Sequence, residues 1–428
     1  MTLLPAQRHT TTSWPELAVP PRSPLRAWLA ERLFRRAVRQ LDLTVEFPDG
    51  ERLGGSAGAP VLRLERPDAF FNRLGVNGNI GFAEAYLARD WTADTDLADV
   101  LTPFAESVAT LVSRPLQALR RWVDAVRPES DDNTTVNAKS NISRHYDLSN
   151  DLFAAFLDET MTYSAAWFGP DDDLAAAQRR KIDSILDLAA VGAGSRVLEV
   201  GTGWGALAIR AAERGAVVTS LTLSKEQQAL AERRINDAGV GDRVTVLLQD
   251  YREAGGQFDA VVAVEMIEAV GARYWPLFFA TLDQRLVPGG RIALQAITMP
   301  HDRLQATHRS YTWVHKYIFP GGQLLSTEAI RDQVRRHTGL QMTARRALGP
   351  HYARTLALWR ARFTRAAAHI SALGFDDTFR RMWEFYLAYS EAGFRSGYLD
   401  VWQIQLSKPL ARGVPEKVPD LGELLEAG

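Results

Sequence analysis

Arg196-Val-Leu-Glu-Val-Gly-Thr-Gly-Trp-Gly205 is the stretch that decides the fold. Val197, Leu198 and Val200 form an aliphatic run suited to a buried strand. Gly201, Gly203 and Gly205 follow at alternating positions, and Ala206-Leu-Ala-Ile-Arg-Ala-Ala-Glu213 reads as a helix. Strand, glycine turn and helix make the first half of a nucleotide-binding βαβ unit. The glycines let the backbone turn sharply and approach a ligand with no Cβ in between. Such a turn alone fits many nucleotides, so the flanking sequence has to identify its ligand.

Downstream, the pattern alternates strand and helix as a parallel sheet requires. Val217 to Leu223 is the expected second strand, with Ser224 capping the next helix. Val244 to Leu248 and Phe258 to Glu265 read as the third and fourth strands. Leu286-Val-Pro-Gly-Gly290 reads as a turn before a fifth, Arg291 to Ala296. Upstream, Asp171 to Leu188 reads as an acidic first turn and the helix leading into the opening strand.

Residues 1–23, rich in proline and threonine, read as an irregular leader. Pro24 to Gln40 then sets Leu25, Trp28, Leu29, Leu33, Phe34 and Val38 at helical spacing among arginines. Such a helix either packs on a core with a solvated arginine face, the weightier reading, or lies on an anionic lipid surface. Leu41 to Leu64 reads as small hairpins around Asp49-Gly50 and Gly54-Gly55. Gly81 to Trp91 reads as a helix ending near Trp91, and Leu97 to Val126 as another. The polar stretch 127–139 is the expected linker, between a mixed α+β domain over 24–132 and a second domain over 141–428.

A chain of 428 residues can bury a sizeable core. Its net charge of −1 gives no global electrostatic case for nucleic acid. The absence of cysteine removes disulfides, thiolate metal sites and cysteine nucleophiles, and no metal is expected. No signal peptide or membrane span is expected, so a cytoplasmic location is the default.

Dinucleotide turns carry a helix-packing glycine three residues after the second one. Here Trp204 stands between Gly203 and Gly205, Glu199 precedes the turn, and Asp250-Tyr251 follows the third strand. This set, in this order, resembles the class I S-adenosylmethionine-dependent methyltransferases over roughly residues 180–300. The resemblance implies an α/β fold, a Rossmann-like sheet with a helical lid insertion, and S-adenosylmethionine as cofactor. It sets Glu199, Gly201 and Gly203 against the methionine part, and Asp250 with Tyr251 beside the adenine. That family usually places a carboxylate at the tip of the second strand for the ribose. This chain has Leu221-Thr-Leu-Ser-Lys-Glu-Gln227 there, leaving Thr222, Leu223 and Gln227 to take the place.

That departure resembles the cyclopropane fatty acid synthase family. So do His145–Phe153, Met161-Thr-Tyr-Ser164, Glu268 in Met-Ile-Glu-Ala-Val-Gly271, Lys316-Tyr-Ile-Phe-Pro-Gly-Gly322, Gly349-Pro-His-Tyr352 and Glu391-Ala-Gly-Phe-Arg395. Tyr163 and Ser164 thereby join the expected cofactor contacts, and Tyr317 the catalytic set. Read singly, Tyr163 and Tyr317 also suit an ordinary core, and Glu268 a solvated surface.

The resemblance implies methyl transfer to the double bond of an unsaturated, phospholipid-linked acyl chain. Aromatic faces would stabilise the resulting carbocation, and a base would then remove a proton. In cyclopropane-forming members that base is understood to be a bicarbonate held by a cysteine, a glutamate, a histidine, a tyrosine and a backbone group. Carried onto this chain, those positions are Ala165, Glu268, Gln295, Tyr352 and the backbone of Ile297. Two donors are thus changed, and an extra acid, Glu265, stands one helical turn before Glu268. The expected catalytic residues are Glu268, Tyr352, Gln295 and Tyr317, around an altered bicarbonate site. A changed deprotonation leans the expected product toward methylene, which a separate reductase would turn into a methyl branch. A true cyclopropane synthase and a methyltransferase of a small soluble acceptor are the alternatives. The helix from Pro24 and the basic segment Pro300–Gly322 are the candidates for a contact with the inner membrane face and a lid, with solvated loop charges the competing reading of the segment. A homo-oligomer is left open.

Overall fold

A computed structural model describes residues 14–111, 133–134, 137, 149–308 and 310–410. Residues 1–13 of the expected leader, most of the linker at 127–139, the helix beyond Leu111 and His145–Leu148 lie outside the described residues. The chain forms two compact units, one from residues 1–126, 310–316 and 356–398, the other from 127–309, 317–355 and 399–428. Two segments that the sequence reading assigned to the 141–428 domain therefore group with the N-terminal unit.

The first unit holds a four-stranded sheet of β1 (Thr44–Glu46), β2 (Arg52–Gly54), β3 (Val61–Leu64) and β4 (Trp91–Ala93), in the order β2-β1-β3-β4. β1 and β2 form the hairpin around Asp49-Gly50, but β3 pairs with β1 in parallel. Gly54-Gly55 therefore begins a crossover, not a second hairpin. The helix Pro67–Leu87 stops before Trp91, which opens β4; between them Arg89 adopts a left-handed φ of 61°. Within the leader, Pro15–Ala18 makes a single helical turn. Phe34 of the helix Pro24–Val38 meets Phe70 and Phe71 edge-on, which anchors that helix by one side. The helix Asp377–Arg395, capped by Asp376 through Phe379 N–H, packs on Leu97–Leu111 and Pro67–Leu87.

The second unit is built on β5 (Arg196–Val200), β6 (Val217–Thr222), β7 (Val244–Leu248), β8 (Phe258–Val264), β9 (Leu286–Thr298), β10 (Gln341–Ala347) and β11 (Asp400–Ser407). Their order is β10-β11-β9-β8-β5-β6-β7, and β11 alone runs against its neighbours. The inner strands β5 and β8 are apolar, their residues shared between the two cores that cover the sheet's faces, whereas the edge strand β10 is polar and exposed. Pro288-Gly289-Gly290 lies inside β9, not ahead of it: the β8–β9 register jumps from Phe258↔Leu286 to Ala260↔Arg291, so these residues bulge from the ladder. Chain order reverses at β5, which has β6 on one side and β8 on the other. A doubly wound sheet binds its ligand at such a switch point, outside the carboxyl ends of the strands.

Candidate active site

At that point a cavity opens over the glycine turn, lined by residues from the ends of β5, β6 and β8 and by the loop 161–164. Gly201 and Gly203 take left-handed φ values of 97° and 52°. A Cβ on Gly203 would meet nothing within 4 Å, so the backbone here is bare toward open space. Trp204 lies buried under the turn, its indole N–H on Asn150 Oδ1 at 2.8 Å and its ring against Phe153. Glu199 is buried at the cavity wall, and its carboxylate accepts from the Ser220 hydroxyl. Burial pushes its carboxyl up to about 8, against the pull of Ser220 and Lys181. Thr222 donates to Gln227 Oε1 at 3.0 Å, which fixes the amide's orientation at the tip of β6. Tyr163, Ser164, Leu223 and Tyr251 also line the cavity.

Asp250 and Tyr317 stand elsewhere. The Asp250 carboxylate is held by Arg252 at 2.6 Å and caps the turn that begins at Tyr251; Gln249 and Tyr251 line the cavity in its place. Tyr317 ends the short helix Trp313–Tyr317, partly exposed and away from the cavity lining.

Sequence reasoning missed Lys181. It is 1% exposed, lines the cavity, and donates to Ser164 Oγ at 2.5 Å. Burial lowers its ammonium to about 8, and attraction to Glu265, Asp158 and Glu199 opposes that shift. The signal was present: Gln178, Lys181 and Ser184 fall on the buried face of the helix Leu174–Leu188. Gln178 serves as a strut, donating to Ser164 O at 2.8 Å and so fixing the loop above the cavity.

At the β8 end of the cavity, Gln295, Tyr352 and the backbone of Ala165 meet, and they meet on Glu265. Its Oε1 accepts from Ala165 N–H and Gln295 Nε2, both at 2.8 Å, and its Oε2 from the Tyr352 hydroxyl at 2.8 Å. Sheet register explains the meeting. Gln295 on β9 lies opposite Val264 of β8 and opposite Gln403 of β11. Gln403 Nε2 donates to Gln295 Oε1 at 3.1 Å, and Ser184 Oγ donates to Gln403 Oε1 at 2.7 Å. With its oxygen on Gln403, the Gln295 amide turns its N–H groups toward Glu265 and toward Ala165 O at 3.2 Å. Glu268 sits apart from this cradle. Its Oε1 accepts from Ile297 N–H, and its buried Oε2 has no hydrogen-bond partner among the described residues.

The residues present fit S-adenosylmethionine. A glycine turn bare toward the cavity, an amide at the β6 tip and two acids suit a nucleoside carrying a sulfonium. They do not fit bicarbonate, because the donors that resemblance assigned to it are engaged by a carboxylate of the protein.

The sequence matches the mycolic acid cyclopropane synthetase family over residues 133–404. It is 54% identical to the tuberculostearic acid methyltransferase UfaA1 of Mycobacterium tuberculosis, over 93% of this chain and 96% of that one. Identity is 33% to the cyclopropane-fatty-acyl-phospholipid synthase of Escherichia coli K12, over 85% of this chain and 92% of that one. The structure of the mycolic acid cyclopropane synthase CmaA1, complexed with S-adenosylhomocysteine and CTAB, superposes with a TM-score of 0.59 and 31% identity, covering 66% of this chain and 99% of that one. With a seven-stranded sheet, a cofactor cavity at its switch point and these matches, the chain belongs to the mycolic acid cyclopropane synthetase family.

Proposed function

We propose that this protein transfers a methyl group from S-adenosylmethionine to the double bond of an unsaturated acyl chain on a phospholipid, giving a methylene product. The cofactor supplies an electrophilic methyl group. Gly201 and Gly203 would leave room for it, Thr222, Leu223 and Gln227 would hold its ribose, and Gln249 and Tyr251 would flank its base. Glu199 would hold its cationic end, and Tyr163 and Ser164 line the cavity from the loop that Lys181 and Gln178 hold.

The alkene's electron pair forms the new carbon–carbon bond and leaves a cation on the neighbouring carbon. A hydride shift moves that cation onto the methyl-bearing carbon, and loss of a proton from the new methyl group gives the exocyclic methylene. Loss of the proton without the shift closes a ring. The observation favouring methylene is that a fixed carboxylate occupies the cradle expected to hold bicarbonate. The 54% identity to a tuberculostearic acid methyltransferase, against 33% to a cyclopropane synthase, points the same way. A methylene product calls for a separate reductase to become a methyl branch.

The test is incubation with S-adenosylmethionine and oleoyl phospholipid vesicles, followed by analysis of the acyl chains. Both products gain one CH₂, so mass alone does not separate them; proton NMR of the vinylidene group does. A vinylidene signal is expected, and a ring as sole product removes the methylene assignment.

A further inference from the structure

We propose that the carboxylate of Glu265 is the base that takes the proton from the new methyl group, and that this protein needs no bicarbonate. The inference rests on the methyl-transfer reading above. Glu265 is the first residue past β8, it lines the cofactor cavity, and its neighbour Met266 faces Gly201 across the turn. A carboxylate presents about four acceptor positions. Protein donors from a loop, a strand and a helix fill three of them: Ala165 N–H, Gln295 Nε2 and Tyr352 OH. One position is left for an incoming proton.

The other groups at this end are unsuited to the step. Gln295 is an amide, Lys181 is a cation at neutral pH, and the Tyr352 hydroxyl already donates to Glu265. Glu268 does not line the cavity and is held by backbone N–H groups alone, those of Ile297 and Glu268 itself. Burial and the neighbouring Glu265 push the Glu268 carboxyl up to about 8; burial raises Glu265 as well, but there the Ala165, Gln295 and Tyr352 donors and the Lys181 charge oppose it. Glu265 also adopts a left-handed φ of 50°, a conformation that a side chain other than glycine keeps only where its surroundings impose it. In the step, a C–H bond of the new methyl group breaks and its proton goes to the Glu265 carboxylate. The electron pair becomes the second bond of the methylene group, and the proton passes to water after product release.

The test uses the full-length protein with two readouts. Binding of ¹³C-bicarbonate, followed by NMR without the methyl donor, is expected to be absent in the wild type and present in Glu265→Ala, whose donors are left open. In CO₂-free buffer, wild-type turnover is expected to be unchanged by added bicarbonate. Glu265→Ala is expected to lose ~10²–10⁴-fold in turnover while keeping cofactor affinity, with partial rescue by bicarbonate or formate. Bicarbonate bound by the wild type, or wild-type turnover restored by it, overturns the proposal. So does Glu265→Ala turnover near that of the wild type. A protein that binds no bicarbonate yet methylates no unsaturated phospholipid refutes the proposed function and leaves the cradle assignment standing.

Discussion

Glu268 and Glu265 are three residues apart, yet the fold gives them different surroundings: three donors on Glu265, and on Glu268 an oxygen with no hydrogen-bond partner among the described residues. From sequence, Glu268 is one of the expected catalytic residues. With its carboxyl pushed up to about 8 by burial, Glu268 is protonated at pH 7, and glutamine reproduces that neutral form. Glu268→Gln is therefore expected to keep turnover within about tenfold of wild type, about the effect of one perturbed hydrogen bond. Its stability should differ in sign with pH. A folded-state carboxyl raised from 4.5 to about 8 stabilises the wild type below 4.5 and loses that contribution as pH rises to about 8. The variant is expected to gain on the wild type across that window and run parallel outside it, as urea unfolding at several pH values would show. Parallel curves throughout would mean that Glu268 is ionised in the fold. The sequence showed both acids but not which one Gln295 and Tyr352 would reach. That depends on a register linking β8 and β9 to β11, whose Gln403 lies 108 positions from Gln295.

Among elements, the helix Pro24–Val38 departs most from its weightier sequence reading. Phe34 and Val38 are buried, but Leu25 is 77% exposed, Trp28 53%, Leu29 51% and Leu33 43%. These four line one stripe at helical spacing, and Arg32 stacks over Trp28 at 4.8 Å. Periodicity established an apolar stripe; it could not say that only one edge of it would find a core. An exposed stripe rimmed by arginines suits the interface of an anionic bilayer. Among the described residues, no helix is long and apolar enough to cross one. We expect the wild type to co-sediment with anionic vesicles, less so at high salt. Leu25→Ser with Leu29→Ser should weaken that binding while leaving melting temperature and cofactor binding unchanged, because both side chains already face outward. Unchanged vesicle binding would exclude this helix as the contact.

For the whole molecule, local pattern revealed the strand–helix alternation from β5 to β8, because each strand there is an apolar run between turn signals. It did not reveal that 356–398 joins the unit begun by residues 1–126, since nothing local marks that return. Buried charge holds the return in place. Arg360 bonds Glu391 at 3.0 Å and Asp96 at 2.9 Å, and Glu391, fully buried, also pairs with Arg395. Asp96, Arg360 and Glu391 come from three stretches of chain, so a lost arginine leaves buried carboxylate charge undercompensated. Breaking such a pair from one side costs about 3–5 kcal/mol, whereas the intact pair adds little over an apolar replacement. Arg360→Leu is therefore expected to destabilise the protein by that order in denaturant unfolding, with Glu391→Gln in the same chain recovering part of the loss. Cofactor affinity should persist under native conditions, because the cavity residues all belong to the other unit. A variant as stable as the wild type would show that this network is solvated, and that apolar packing among the helices alone brings 356–398 back to the N-terminal unit.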